Sequence, residues 1–281
     1  QKLINANLLP KRYGVSMALK NIILLVLAVI SLQYGFGVQA VLISVAVSYL
    51  LACLPALSLW KRTLLKCFSV ERLRALWLYG APLTLLYLFV MIISFSDRIF
   101  IDVMLGSSEV GLYSAAYDLT QYTIGLVASI IHLSAFPIIL KAYEENGIET
   151  ARSLLASSFK ILLIIMIPLT FCFVSLREEI AVIFLGNAYS STALTLIPLL
   201  AISVLVSTVK SYHFDYTFQL VKNTFLQTVP PLIAAFMNCI LNYFFINEFG
   251  LNGAALSTFL SFLLYLLMTI FLSRRVFNLP N

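Results

Sequence analysis

Asp97, Arg98, Asp102 and Asp118 lie within one otherwise apolar stretch, SDRIFIDVMLGSSEVGLYSAAYDL, from Ser96 to Leu119. Arg98 and Asp102 are four positions apart, which on a helix puts them on one face and within pairing reach. Asp97 points about 100° away from Arg98. Gly106, Glu109 and Gly111 mark a tight turn. Arg98 falls shortly before that turn and Asp118 a similar distance after it. On two antiparallel helices both then sit at a matched depth of about 10 Å, and Asp118 becomes a second partner for Arg98. The guanidinium keeps its proton, so it must be paired, hydrated or facing an anion. Two readings stand. Arg98, Asp102 and Asp118 form a closed ion network that ties two helices, as buried charges normally do. Alternatively Arg98 faces a cavity and offers its fork to an anion, while an aspartate binds a coupling cation or a proton.

The span that carries Asp118 also carries Tyr113, Tyr117, Gln121 and Tyr122. Tyr113 and Tyr117 share its face, either as interfacial belt residues or as a stacking surface for a polar ligand. His132 lies deeper, and is expected to be a hydrogen-bonded packing residue rather than a proton relay.

These residues need a scaffold, and composition says which kind. Of the 281 residues 61% are hydrophobic and only 11% charged, against about 25% charged in soluble domains. Mean hydropathy is +0.99. A soluble protein needs a polar skin, so the chain is read as an all-α, multi-span integral membrane protein. Eight apolar runs are expected to span: Val15–Leu32, Val38–Leu59, Ala75–Leu105, Gly111–Phe136, Leu154–Ser175, Thr192–Val209, Thr228–Ile246 and Leu251–Leu272. Pro137 should end the fourth, and a polar connector, Lys141–Arg152, should follow. Trp60–Arg74 is basic and reads as an amphipathic helix at the membrane surface. Lys210–Phe225 reads as a connector. The four cysteines (Cys53, Cys67, Cys172 and Cys239) have no metal-type spacing and read as small apolar residues.

The net charge of +6 is an orientation signal and does not indicate nucleic-acid binding. With both ends on one side, all of the 18 lysines and arginines except Arg98 and Arg177 fall on that side. The positive-inside rule makes it the cytoplasm. Lys141, Arg152 and Lys160 then flank the cytoplasmic mouth, where they could attract a phosphate head group, although the orientation bias alone also accounts for them. The first hairpin, ALKNIILLVLAVISLQYGFGVQAVLIS, weakly repeats in the last, AFMNCILNYFFINEFGLNGAALSTFLS. Asn21 matches Asn238 and Gly35 matches Gly250, with a shift of two. Such repeats are common in secondary transporters.

The same stretch, with its Asp-Arg, Leu-Gly and Val-Gly-x-Tyr-x-x-Ala elements, resembles a signature of bacterial polysaccharide-export flippases. Those belong to the exporter superfamily that includes multidrug extruders of the MATE type and lipid II flippases. Phe136-Pro137 with its acidic connector, IFLGNAYSSTALTLIPLLAIS and NCILNYFFINEFGLNGAALST are similar to further family segments in the same order. The resemblance implies a MATE-like two-lobe architecture with one lobe incomplete. Residues 1–74 would be the last two spans of a first lobe with a basic connector, and residues 75–281 a complete six-span second lobe. An N-terminal portion is expected to precede Gln1. The resemblance also implies movement of undecaprenyl-diphosphate-linked oligosaccharides across the bacterial inner membrane by alternating access, for O-antigen or capsule assembly. The partners would be the bilayer, the lipid-linked substrate and other polysaccharide assembly proteins. The pathway candidates are Asp97, Arg98, Asp102, Tyr117, Asp118 and Gln121.

The alternatives are a cation-coupled multidrug exporter of the MATE type and a membrane-embedded polymerase or acyltransferase. An enzyme of that kind calls for a sizeable outer loop or a histidine-bearing catalytic cluster, whereas the outer connectors here are short. The two histidines, His132 and His213, fall in different elements. The sequence has no phosphate-binding glycine loop, metal-ligand spacing or nucleophile triad. Neither catalysis nor a cofactor is expected.

Overall fold

A computed structural model describes residues 10–54, 69–221 and 223–277, and every regular element in them is helical. Contacts divide the chain into two compact units, residues 1–74 and 75–281.

In the first unit, α1 (Pro10–Gln33) and α2 (Gly37–Ala52) form a hairpin. Serines join the two arms. The Ser16 hydroxyl donates to the Ala52 carbonyl at 2.7 Å, and the Ser31 and Ser44 hydroxyls lie 3.4 Å apart. Small hydroxyl residues of this kind bring apolar helices close and hydrogen-bond across them. Cys67 and most of the expected surface helix fall at 55–68, outside the described residues.

The second unit contains α3 (Val70–Met104), α4 (Ser107–Asn146), α5 (Ile148–Ser175), the short α6 (Arg177–Leu185) and α7 (Asn187–Val209). A π-helical turn, Lys210–Phe214, and α8 (Asp215–Leu220) continue from α7. The short α9 (Thr224–Gln227) leads into α10 (Val229–Phe277), which is two helices joined at Gly250. Helix α7 packs against α4, α5, α6 and α10. Ala193, Leu196, Ile197, Leu200, Ala201 and Val204 are all buried along it, as expected of a helix that is apolar all round.

Among the described residues, six helical stretches are long and apolar enough to cross a membrane. The last of them, Phe225–Val276, is double, and Gln39–Ala52 adds a shorter apolar helix. The total is about eight, as hydropathy indicates. The outward faces fit a lipid solvent: Leu126, Ile130 and Leu133 on α4, Ile164 and Phe171 on α5, and Phe236 and Phe271 on α10 are all large, apolar and exposed.

Two expectations about boundaries are corrected. Pro137 does not end its helix. Helix α4 runs on to Asn146, and only Gly147 separates it from α5. A proline in a helix removes one hydrogen bond, but the polar turns beyond are supported by surface pairs such as Lys141–Glu145 at 3.9 Å and Arg152–Glu149 at 2.7 Å. Nor is Lys210–Phe225 a plain connector: Lys210, Asp215, Tyr216, Thr217 and Phe218 are buried, and the two buried charges, Lys210 and Asp215, pair with each other.

Two glycines set the hairpins. Gly106 turns α3 into α4 at φ 101°, and Gly250 breaks α10 at φ 57°, in the left-handed region that side chains with a Cβ avoid. Three residues on, a Cβ at Gly253 would lie 2.0 Å from the Phe245 carbonyl oxygen. The two halves of α10 therefore meet backbone to backbone at that point.

Candidate functional site

Adjacent residues on α3 face two different environments. Asp97 is fully buried. Its Oδ2 accepts from the Tyr113 hydroxyl at 2.7 Å and from the Thr258 hydroxyl, and its Oδ1 accepts from Asn242 Nδ2 at 2.7 Å. Asn238 Nδ2 approaches the same oxygen at 3.5 Å, while its Oδ1 accepts from Ser96 at 2.5 Å. One carboxylate thus joins α3, α4 and both halves of α10. A buried charge is tolerated where its lone pairs are taken up in this way. Asn242 Oδ1 is buried without a partner. The oxygens of Asp97 and Asn238 are taken up by hydrogen bonds within the cluster. No group of three or more His, Cys, Asp or Glu residues is placed to hold a metal among the described residues.

Arg98, about 100° round the helix, faces a cavity of about 280 Å³. Its Nη2 donates to Asp118 Oδ1 at 2.8 Å, Nε to the Ser114 hydroxyl at 2.9 Å and Nη1 to the Ser94 carbonyl at 2.8 Å. Its guanidinium lies 5.0 Å from the Phe95 ring centroid and 4.9 Å from that of Tyr117. The Arg98 side chain is 17% exposed and that of Asp118 48%, so the pair is open on its carboxylate side. Tyr117, Gln121 and Tyr122 line the cavity with it.

Asp102 does not join this pair. It is exposed and accepts from the Ser107 hydroxyl at 2.5 Å across the Gly106 turn. The reason is competition: the turn places a closer donor beside Asp102, while Arg98 donates to Asp118 and Ser114 on α4 and to Ser94 on its own helix. Lys141 and Lys160 are exposed and Arg152 is held by Glu149, and none of the three lines the cavity. His132 bonds the Tyr216 hydroxyl and stacks on Tyr212 at 4.8 Å and Phe136 at 5.6 Å, which is a packing role that ties α4 to α8.

The cavity has a second basic residue, and sequence reasoning missed it. Lys210, placed by charge pattern at the cytoplasmic surface, is 4% exposed and lines the same cavity. Its Nζ donates to Asp215 Oδ2 at 2.8 Å and lies 3.9 Å from the Tyr265 ring centroid. A pair five residues apart does not share a face of an α-helix. It meets here because the π turn bonds residues five apart, with the Asp215 N–H donating to the Lys210 carbonyl. The available signal was a lysine and an aspartate in a stretch too apolar for a loop.

The fold defines a multi-pass, all-helical membrane protein. The structure is similar to that of the lipid II flippase MurJ in an inward closed conformation, with a TM-score of 0.73 at 16% identity over 96% of this chain and 57% of that one. It is also similar to an outward-facing multidrug resistance MATE family transporter of the MOP superfamily, with a TM-score of 0.70 at 18% identity over 95% of this chain and 62% of that one. At these identities the likeness is one of fold. Residues 4–194 match the family model described as polysaccharide biosynthesis protein, and the chain belongs to that family. A relative from Haloferax volcanii, the probable low-salt glycan biosynthesis flippase Agl15, is 28% identical over 171 residues, 60% of this chain. The chain spans about a third of that relative's length.

Proposed function

We propose that this chain forms the membrane pathway of a flippase that moves diphosphate-linked oligosaccharide lipids from the inner to the outer leaflet by alternating access. Family membership supports the substrate class, as do the flippase activities named for a curated relative and for a structural neighbour. The observation that carries the reading is Arg98. A permanently charged fork lies within a membrane span, on a polar cavity, with a partner that remains half open to that cavity. Ionisable groups at such depth mark substrate pathways, and a guanidinium fork suits phosphate oxygens. Tyr117 and Gln121 line the path for the head group. Asp97 is assigned the coupling role, in which it takes a small cation or a proton.

The proposed setting is the bacterial inner membrane with both ends of the chain in the cytoplasm, which is the orientation that the basic residues favour. Residues 75–281 would be one six-span lobe, and residues 1–74 would belong to its partner lobe. The reading requires no covalent chemistry and no cofactor. A host strain whose chromosomal copy carries Arg98→Leu tests it. Loss of surface glycan with accumulation of the lipid-linked intermediate is expected. Unchanged glycan at unchanged protein level overturns the assignment.

A further inference from the structure

The cavity of Arg98 is elongated. On α3 its lining runs from Val90 to Arg98, and on α4 from Tyr117 to Gly125. Each of these eight-residue intervals rises about 12 Å. Arg98 and Asp118 occupy one end. Lys210 lies on Tyr265, and Tyr265 packs in a cluster with Phe89, Val90 and Ile93. The lysine therefore belongs to the other end. Each basic residue that lines the slot is held by a carboxylate at 2.8 Å. Hydroxyl and amide side chains lie along the walls between them: Ser94, Gln121, Tyr122, Thr208 and Ser211.

The two pairs differ in a way that bears on function. Asp118 is half exposed, whereas Asp215 is buried with Lys210 and Gln227 as its side-chain partners. Around the lysine, Gln227 Oε1 and Tyr265 Oη are buried and unpartnered. Gln227 Oε1 can only accept and offers an anion nothing, but the buried Tyr265 hydroxyl is a donor that an anion in the slot can use. The lysine stands on a π turn, an irregularity found mostly at functional sites. An ammonium on a four-carbon stem can rotate between acceptors, as a rigid fork cannot.

We propose that the slot is a two-station anion path, with Lys210 as the station at one end and Arg98 as the station at the other. The ligand class is a prenyl-linked phosphate or diphosphate head group. In the substrate-free state Asp215 and Asp118 stand in for the anion, so the charges of the empty slot are balanced. An arriving head group draws Lys210 away from Asp215, then passes along the hydroxyl wall to Arg98 and displaces Asp118. The helix directions place the lysine end nearer the cytoplasmic side in the orientation proposed above. The inference rests on the flippase reading and adds a second site and an order of use.

The test is binding of geranylgeranyl diphosphate to the purified protein in detergent, across five forms: wild type and four variants. Lys210→Gln with Asp215→Asn removes both charges together and so leaves no unpaired buried ion. Arg98→Gln removes the other station, and a triple variant removes both. Two stations predict that each of the first two variants still binds, weakened by about threefold to tenfold, a loss of up to about 1.4 kcal/mol. The triple variant is predicted to lose binding altogether. Asp215→Asn alone should bind more tightly than wild type, because it frees the lysine. Size-exclusion profiles confirm that each form is folded. If the Lys210/Asp215 variant binds as wild type does while Arg98→Gln abolishes binding, the second station is overturned and the flippase reading stands. If wild type binds no prenyl diphosphate, both fall.

Discussion

Arg98 and Asp118 stand on consecutive antiparallel helices, twenty residues apart, and meet at 2.8 Å with the carboxylate half exposed to a polar cavity. The contact both ties two helices and presents a cation to the cavity. Of the expected ion network the Arg98–Asp118 tie is present and Asp102 is not part of it.

Asp118→Asn should be milder than loss of the arginine. The amide still accepts from Arg98, but the charge attraction is gone. For a partly exposed pair that attraction is worth about 1 kcal/mol or less. Glycan export is expected to fall by less than about fivefold, or even to rise, since less competes with the substrate anion. A quantitative lectin or antibody blot of surface glycan measures it.

Asp97→Ala should destabilise the second unit strongly. Tyr113, Asn242 and Thr258 would each lose a buried acceptor at once. Breaking a buried charged network costs about 3 kcal/mol or more. Thermal unfolding in detergent should show a clear drop in midpoint. Asp97→Asn, which keeps the shape and one acceptor oxygen, should lose less stability. If Asp97 couples transport to a cation, that variant should still lose export.

Much of this site was legible in the stretch from Ser96 to Leu119, because helix periodicity and the glycine turn fix the relative depth of Arg98 and Asp118. The partners of Asp97 were not legible: Asn238, Asn242 and Thr258 are 141 to 161 residues away, and only tertiary packing brings them together. Their segment stood out as a repeat of the first hairpin, and Gly35 and Gly250 do both take a positive φ. Asn21, however, is exposed where Asn238 is buried, so the repeat reaches the turn and not the network. The Asp102 pairing failed because spacing alone cannot see the competing Ser107 hydroxyl. Lys210 was misplaced because charge counting treats every lysine as surface-bound, and a five-residue pairing needs a π turn that no α-helical pattern contains.

Gly253→Ala should fail to fold normally. Its Cβ would sit 2.0 Å from a backbone oxygen of the same hairpin, and neither the carbonyl nor the kinked helix can give way cheaply. Overpacking typically costs about 1–3 kcal/mol, and a clash with backbone belongs at the upper end. Lower membrane yield and a reduced unfolding midpoint are expected. Gly80→Ala, where nothing lies within 4 Å of the new Cβ, serves as the control.

His132→Phe should keep export within about twofold of wild type. The ring stack on Tyr212 and Phe136 is preserved, and only the bond to Tyr216 is lost, a change worth about 1 kcal/mol. A collapse of export with unchanged protein level and unfolding midpoint would instead make His132 part of the transport path.

The central claim is that Arg98 receives the anionic head group during transport. It is tested most directly by comparing surface glycan and lipid-linked intermediate in host cells whose chromosomal copy carries Arg98→Leu, with protein level measured in the same membranes. The account predicts at least a tenfold loss of surface glycan, consistent with the removal of a charged hydrogen bond worth about 1.5–3 kcal/mol, with the intermediate accumulating and the protein present at its normal level. Glycan and intermediate at wild-type levels, with the protein equally abundant, would contradict it.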